Sequence, residues 1–276
     1  MQYLVADTIA QAIALIANGG VPLAGGTTLV PRIQNETPPD TIVDITKIGD
    51  LRTVQNSGKV IQLGAVVTLE QAAETLSAHR SLGAALAAVR TIGNPHIRRL
   101  ATLGGNICAD KEKQTGDLTT ALLALDGRVT VAHTEGLDEM AIGAFLVNGG
   151  PGPRLVTKIA IPIDPERRSS FAKFAWRQTS APAVLSAAAA ARVVGGRLYE
   201  ARIAIGATTK IPIRVSSAEA VLEGQTLDAT RIAEAAKECA RRTPIDRFGF
   251  ATPDYVHSAV QQVMHDVISE LGAGPQ

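Results

Sequence analysis

Two short glycine-bearing segments are the residues best suited to chemistry. Ala24-Gly25-Gly26-Thr27-Thr28 follows a short apolar run, and Thr102-Leu103-Gly104-Gly105-Asn106 repeats its combination of small hydroxyl and paired glycines. Residues free of Cβ bulk let several backbone N–H groups turn toward one anion, and hydroxyls add further donors. Such chemistry suits a diphosphate. A lone Gly-Gly turn between strand and helix is more often only a turn. The second copy changes the reading, because a diphosphate between two such loops can be held by amides from both sides. Neither segment satisfies G-x-x-x-x-G-K-[ST] or G-x-G-x-x-G, which disfavours a P-loop or an ordinary Rossmann phosphate site.

The remaining reactive side chains are sparse. Cys108 and Cys239 are the only cysteines; they are too few and too far apart for a zinc or iron–sulfur cage of four thiolates, and read as reduced structural thiols. His79, His96, His133, His257 and His265 have no mutual spacing that suggests a metal site or a triad. His96 lies nearest the second glycine segment. Trp176, the single tryptophan, reads as packing between domains.

Elements must position the two loops. Asp7-Thr8 followed by Ile9, Ala12, Ile13, Leu15 and Ile16 is a capped amphipathic helix, with a stop at Asn18-Gly19-Gly20. Val21 to Ala24 is a strand running into the first loop, and residues 41–45 and 60–65 alternate like strands. Thr68 with Gln71 forms a capping box ahead of a helix whose apolar face is Leu69, Ala72, Ala73 and Leu76. A further helix spans 81–90, and Asn94-Pro95 breaks the chain before the second loop. Residues 117–125 read as helix, 128–132 and 155–162 as strands, and 145–153 as loop. A polar run at 165–170 marks a domain boundary. Beyond it, an alanine-rich strand at 184–194, the turn Gly195-Gly196 and a strand at 198–205 make a hairpin, followed by helices at 217–222, 228–241 and 253–271. Helices clustered after an antiparallel sheet indicate an α+β domain.

Composition limits the function classes. With 276 residues, 46% hydrophobic and 19% charged, the chain can build two domains with real cores. A formal charge of +1 and 3% aromatics leave neither the field nor the stacking platforms for nucleic acid. The most apolar stretch, 181–194, contains Pro182 and Arg192 and falls short of a bilayer span of ~20 residues. The N-terminus has no basic region leading into a long apolar run, so a cytoplasmic location is expected.

The sequence resembles the FAD-binding medium subunit of molybdenum hydroxylases, the group that includes carbon monoxide dehydrogenase and bacterial xanthine dehydrogenase. Ile97-Arg98-Arg99-Leu100-Ala101-Thr102-Leu103-Gly104-Gly105-Asn106-Ile107 is similar to the family's second flavin loop, and Leu23-Ala24-Gly25-Gly26-Thr27-Thr28-Leu29 to the first. Gly116-Asp117-Leu118 with Ala121 to Leu125 resembles the helix that follows, and Phe171-Ala172-Lys173-Phe174-Ala175-Trp176-Arg177 the segment opening the C-terminal domain. The resemblance implies a flavin-binding set of Ala24, Gly25, Gly26, Thr27, Thr28, Thr102, Leu103, Gly104, Gly105, Asn106, Asp117, Leu155 and Lys173. Within it, Asp117 contacts the sugar side, Lys173 lies near the isoalloxazine, and Leu155 is an apolar position against the ring. No catalytic acid–base residue and no metal ligand of this chain is implied.

The fold implied is α+β: a two-lobed FAD-binding domain of the vanillyl-alcohol oxidase type over 1–168, then a small α+β domain over 169–276 with a three-stranded antiparallel sheet and helices. FAD is non-covalent in this reading. Molybdopterin and 2Fe-2S clusters belong to a molybdenum-binding large subunit and an iron–sulfur small subunit, and electrons pass from the clusters through FAD to an external acceptor. The charged stretch Cys108 to Thr115 departs from the small, proline-containing loop usual in relatives. Two alternatives stay open: a self-contained FAD-dependent reductase or oxidase of the same fold, such as the enolpyruvyl-sugar reductase of cell-wall synthesis, and a non-catalytic nucleotide-binding module.

Overall fold

Local signals in the first lobe translate directly into elements. The computed structural model describes residues 1–108, 116–149, 152–177, 181–246 and 251–272. The lobe comprises β1 (Gln2–Val5), α1 (Ile9–Ala17), β2 (Val21–Leu23), α2 (Leu29–Asn35) and β3 (Thr41–Asp44). Thr8 caps α1 by accepting from the Gln11 N–H, and Gly19 closes the following turn at a φ of +88°. The strands form a parallel sheet in the order β1-β3-β2. The first glycine segment is the connection from β2 to α2.

The second lobe holds β4 (Val54–Asn56), β5 (Val60–Gly64), α3 (Leu69–Ser77), α4 (Gly83–Thr91), α5 (Pro95–Leu100), α6 (Leu103–Ile107), α7 (Asp117–Ala124), β6 (Arg128–His133), β7 (Gly136–Ala141), α8 (Ile142–Asn148) and β8 (Arg154–Pro162). Its antiparallel sheet runs β4-β5-β8-β6-β7. The capping box at Thr68 and Gln71 is present in full. Asn94-Pro95 starts a helix rather than only breaking the chain: Asn94 accepts from the Ile97 N–H, and proline sits in the first turn, where a missing N–H costs nothing. Residues 145–148, expected as loop, end α8, because Ile142, Phe145 and Leu146 fall on one buried face. Gly149, at a φ of +51°, stops that helix.

The C-terminal domain contains β9 (Arg167–Ala175), β10 (Ala183–Val194), β11 (Arg197–Gly206), β12 (Ile213–Arg214), α9 (Ser216–Leu222), α10 (Ala229–Arg242) and α11 (Pro253–Gly272). Three long antiparallel strands make its sheet, with the two-residue β12 added at the β11 edge. Because β9 begins at Arg167, the sheet takes in two residues that the sequence reading gave to the first domain. Alternation along β10 explains its alanine run. Ala188 and Ala190 join the core of the second lobe, whereas Ala187, Ala189 and Ala191 join the core beneath the C-terminal helices. Small side chains thus let α4 and α7 approach one face while α11 covers the other. No described helix is long and apolar enough to cross a membrane.

Candidate functional site

The two glycine segments meet. Gly25 approaches the backbone of Leu100 and Ala101 so closely that a Cβ there would lie 1.9 Å from the Leu100 carbonyl oxygen. Between them opens a cavity of about 430 Å³. One side is the first segment, Ala24 through Thr28, and the other is Thr102, Gly104, Gly105 and Asn106. Apolar side chains from the strands beneath, Val21, Leu23, Ile45, Leu155 and Val156, close one end.

Two kinds of unsatisfied polar group face this space. Among the described residues, the backbone N–H groups of Gly25, Gly26 and Thr27 have no internal acceptor. Asn106 Oδ1 is buried with no hydrogen-bond partner. Buried or half-buried polar groups are normally paired, so these mark a place for a ligand with acceptors at one end and a donor near the other.

The second segment differs from the expectation of amides offered from both sides. Thr102 caps α6, and its amides are engaged: Leu103 N–H donates to Val67 O at 3.0 Å and Gly104 N–H to Ala65 O at 2.8 Å. Gly105 N–H donates to Thr102 Oγ1 at 3.2 Å. These bonds stitch the turn to the start of α3, across the bridge between Thr68 and Thr102. The glycines serve close packing: a Cβ on Gly104 would sit 2.8 Å from the Ala65 Cβ, whereas one on Gly105 would meet only Thr102 Oγ1, at 2.9 Å. Leu103 is 1% exposed and belongs to the core rather than the cavity wall.

Cys108 lines the cavity, and burial pushes its thiol up to about 11, against a smaller lowering by Arg154. The residue itself is exposed at the cavity's edge, and its thiol is neutral at physiological pH. The rest of the charged stretch, 109–115, lies outside the described residues.

Asp117 and Lys173 come together, but not in this cavity. Lys173 Nζ donates to Asp117 Oδ2 at 2.7 Å, and the Asp117 carboxylate is 3% exposed. The ammonium also lines a neighbouring cavity of about 570 Å³ whose wall includes Thr91, Asn94, Arg98, Phe174 and Trp176. Within 91–98, Ile92 and Ile97 line the first cavity and Thr91, Gly93, Asn94, Pro95 and Arg98 the second, while His96 lines neither. Arg98 shapes that segment: Nη1 donates to Arg90 O at 3.1 Å and Ile92 O at 3.4 Å, and Nε pairs with Glu70 at 3.5 Å. Trp176 is 45% exposed and meets Phe174 edge-on at 6.1 Å. It is therefore a wall of this second cavity, where the sequence suggested only packing between domains. Leu155, 6% exposed, lines the first cavity and not the second.

Sequence reasoning missed Ser186. Its hydroxyl, fully buried, donates to Asp117 Oδ1. Nothing in a run of alanines marks one serine as functional; only the strand register places it opposite Lys173.

Comparisons with known proteins agree with this geometry. Residues 1–164 match the model of the FAD binding domain in molybdopterin dehydrogenase, and residues 170–271 match the carbon monoxide dehydrogenase flavoprotein C-terminal domain. The putative xanthine dehydrogenase FAD-binding subunit of Escherichia coli strain K12 is 29% identical over 282 residues, covering 97% of this chain and 94% of the relative. The carbon monoxide dehydrogenase medium chain of Afipia carboxidovorans is 29% identical over 234 residues, covering 80% of this chain and 79% of the relative. In fold, carbon monoxide dehydrogenase from Hydrogenophaga pseudoflava superposes with a TM-score of 0.90 at 19% identity, over 98% of this chain and 96% of that one. A cradle of free amides at the first glycine loop, in a chain matched along both of its domains, has a plain meaning: this chain belongs to the family of FAD-binding subunits of molybdenum hydroxylases.

Proposed function

We propose that this chain holds one non-covalent FAD in the cavity between the two glycine segments and passes electrons from iron–sulfur clusters of a partner chain through FAD to an external acceptor. The observation that carries the reading is the set of unengaged N–H groups on Gly25, Gly26 and Thr27 together with the buried, unpaired Asn106 Oδ1, on residues that line one cavity. When bound, FAD supplies one- and two-electron chemistry, while the protein contributes binding, orientation and electrostatics.

Each group has a task fitted to its chemistry. The three amides hold the diphosphate, helped by the hydroxyls of Thr27 and Thr28, which line the same wall. Asn106 Oδ1 can only accept, so it takes a hydrogen bond from a sugar hydroxyl or a ring N–H. Apolar lining residues such as Val21, Leu23 and Ile45 exclude water from the bound cofactor, and Leu155, which the resemblance puts against the ring, lines the same cavity. Lys173, which the resemblance puts near the isoalloxazine, pairs with Asp117 at 2.7 Å where the C-terminal sheet meets α7.

The partners follow from inventory. Two distant cysteines cannot ligate clusters, so the 2Fe-2S centres and the molybdopterin belong to an iron–sulfur small subunit and a molybdenum-binding large subunit. The named relatives, a xanthine dehydrogenase subunit and a carbon monoxide dehydrogenase medium chain, support that assembly. Purified chain should be yellow, with near one-to-one FAD that acid precipitation releases into the supernatant. A colourless chain that gains no flavin on incubation with FAD would overturn the reading, and colour retained in the denatured pellet would overturn non-covalent binding.

A further inference from the structure

We infer that Arg98, braced by Glu70, is a positioning residue for the cavity between the glycine segments: it locks the turn after α4 and so fixes the apolar wall made by Ile92 and Ile97. The inference rests on FAD occupying that cavity. Arg98 and Arg99 are neighbours on α5 with opposite surroundings, since the Arg98 side chain is 17% exposed whereas Arg99 lies open to solvent. Arg98 turns back to the end of α4, where the last carbonyls of a helix have no partner within it. Its Nη1 reaches three carbonyl oxygens there, Arg90 O at 3.1 Å, Ile92 O at 3.4 Å and Gly93 O at 3.5 Å. A cation at this end of a helix also suits the helix dipole. Nε is left for Glu70, in the first turn of α3: Glu70 Oε2, buried without a hydrogen bond, pairs with it at 3.5 Å.

What the turn carries explains why it is held. Ile92, inside the turn, and Ile97, one residue before Arg98, both line the first cavity, whereas Arg98 does not. Arg98 therefore acts on a ligand there through these two side chains rather than by touching it. Ile97 is seated on Gly93, whose φ is +58° and where a Cβ would lie 2.7 Å from Ile97 Cγ2, so the turn and the helix cannot shift independently. The same short helix leads into the second glycine segment: Ala101 N–H donates to Ile97 O at 2.7 Å, and Leu69 N–H, beside Glu70, donates to Ala101 O at 2.8 Å. Arg98 and Glu70 thus close a frame of α3, α4 and α5 behind one wall of the cavity. A planar guanidinium fork can bond several carbonyls and a carboxylate at once. A lysine ammonium on a flexible stem cannot hold the same set.

The test titrates FAD into the full chain, read by flavin fluorescence, alongside the melting temperature of each variant. Arg98→Lys keeps the charge and should still weaken FAD about tenfold, near the low end for losing hydrogen bonds to a charged group. Arg99→Lys, at the exposed neighbour, should bind as the wild type does. Ile92→Ala should also weaken FAD about tenfold, through lost apolar contact. With both Arg98→Lys and Ile92→Ala in one chain, the loss should stay well below the product of the two, because both act through one wall. Glu70→Gln should weaken binding about threefold, within the range for a partly exposed pair. The inference is overturned if Arg98→Lys binds FAD as the wild type does, whether or not it melts lower, or if its effect and that of Ile92→Ala multiply. An equal loss in Arg99→Lys overturns it too, because charge near the cavity, and not the bonded turn, would then be what matters. Should Arg98→Lys fail to fold, Glu70→Gln carries the same cycle with Ile92→Ala. A wild-type chain that takes up no FAD is a separate failure, seen first, and overturns the cavity's occupancy instead.

Discussion

At the residue scale, the glycines of the two loops divide by what lies opposite them. Gly25 and Gly104 face protein backbone or a neighbouring Cβ, so a side chain at either strikes the fold before it strikes a ligand. Valine at either position therefore costs stability as well as binding. Gly25→Val should destabilise by the upper range for overpacking, about 3 kcal/mol. Gly105 is the cleaner probe, since it is exposed to the cavity and crowded only by Thr102 Oγ1. We expect Gly105→Val to weaken FAD at least about tenfold, or ~1.4 kcal/mol, with a smaller loss of melting temperature than Gly25→Val. Equal FAD affinity in Gly105→Val, measured by fluorescence titration, would remove the second loop from the site. Cys108 offers an independent check. With its thiol held up near 11, alkylation by iodoacetamide should be slow at pH 8, accelerate toward pH 11, and be blocked by bound FAD. Rapid modification at pH 8 in the presence of FAD would mean that Cys108 does not line the cofactor space.

At the scale of elements, what was legible in the sequence were features closed within a few residues. The capping box at Thr68, the cap at Thr8 and the hairpin at Gly195-Gly196 each depend on short-range bonds or on a permitted φ. The glycine loops were legible as types but not as partners. Whether an amide is free or committed depends on Val67 and Ala65, contacts set by how α6 docks on the lobe, and no local pattern encodes that. Ser186 was illegible for the same reason, being one small residue in a strand buried on both faces. Helix α10 carries a prediction of its own. Glu238 is paired with Arg241 and Arg242 and bonded to Ser217, in that order of effect, and these hold its carboxyl down at about 2. A carboxyl lowered in the folded state stabilises above its unfolded value and loses that contribution as pH falls through the folded one. Glu238→Gln should therefore melt below wild type at pH 7, and the gap should close as pH falls from 4.5 to about 2. Melting curves with a gap unchanged across that window would show that the pairing adds nothing, as exposed pairs often do.

At the scale of the molecule, the C-terminal sheet acts as a partition between two cores, and Lys173 pairs with Asp117 on the side turned to the first domain. Helices α4 and α7 pack on that face, so the second cavity is bounded by one domain through Thr91, Asn94 and Arg98 and by the other through Lys173, Phe174 and Trp176. Hydroxylation in this family needs a molybdenum site, and electron relay needs clusters. Among the described residues no group of three or more His, Cys, Asp or Glu converges as metal ligands would. The isolated chain should consequently show no oxidation of organic substrates, although its FAD should be bleached by dithionite and recoloured by an oxidising dye. Adding the iron–sulfur and molybdenum chains should allow the substrate of the complex to reduce the flavin. Anaerobic spectra of the chain, before and after reconstitution, separate the two situations. Turnover of an organic substrate by the chain alone, with a nicotinamide or oxygen at ~1 per second or faster, would replace the subunit reading with a self-contained reductase or oxidase of the same fold.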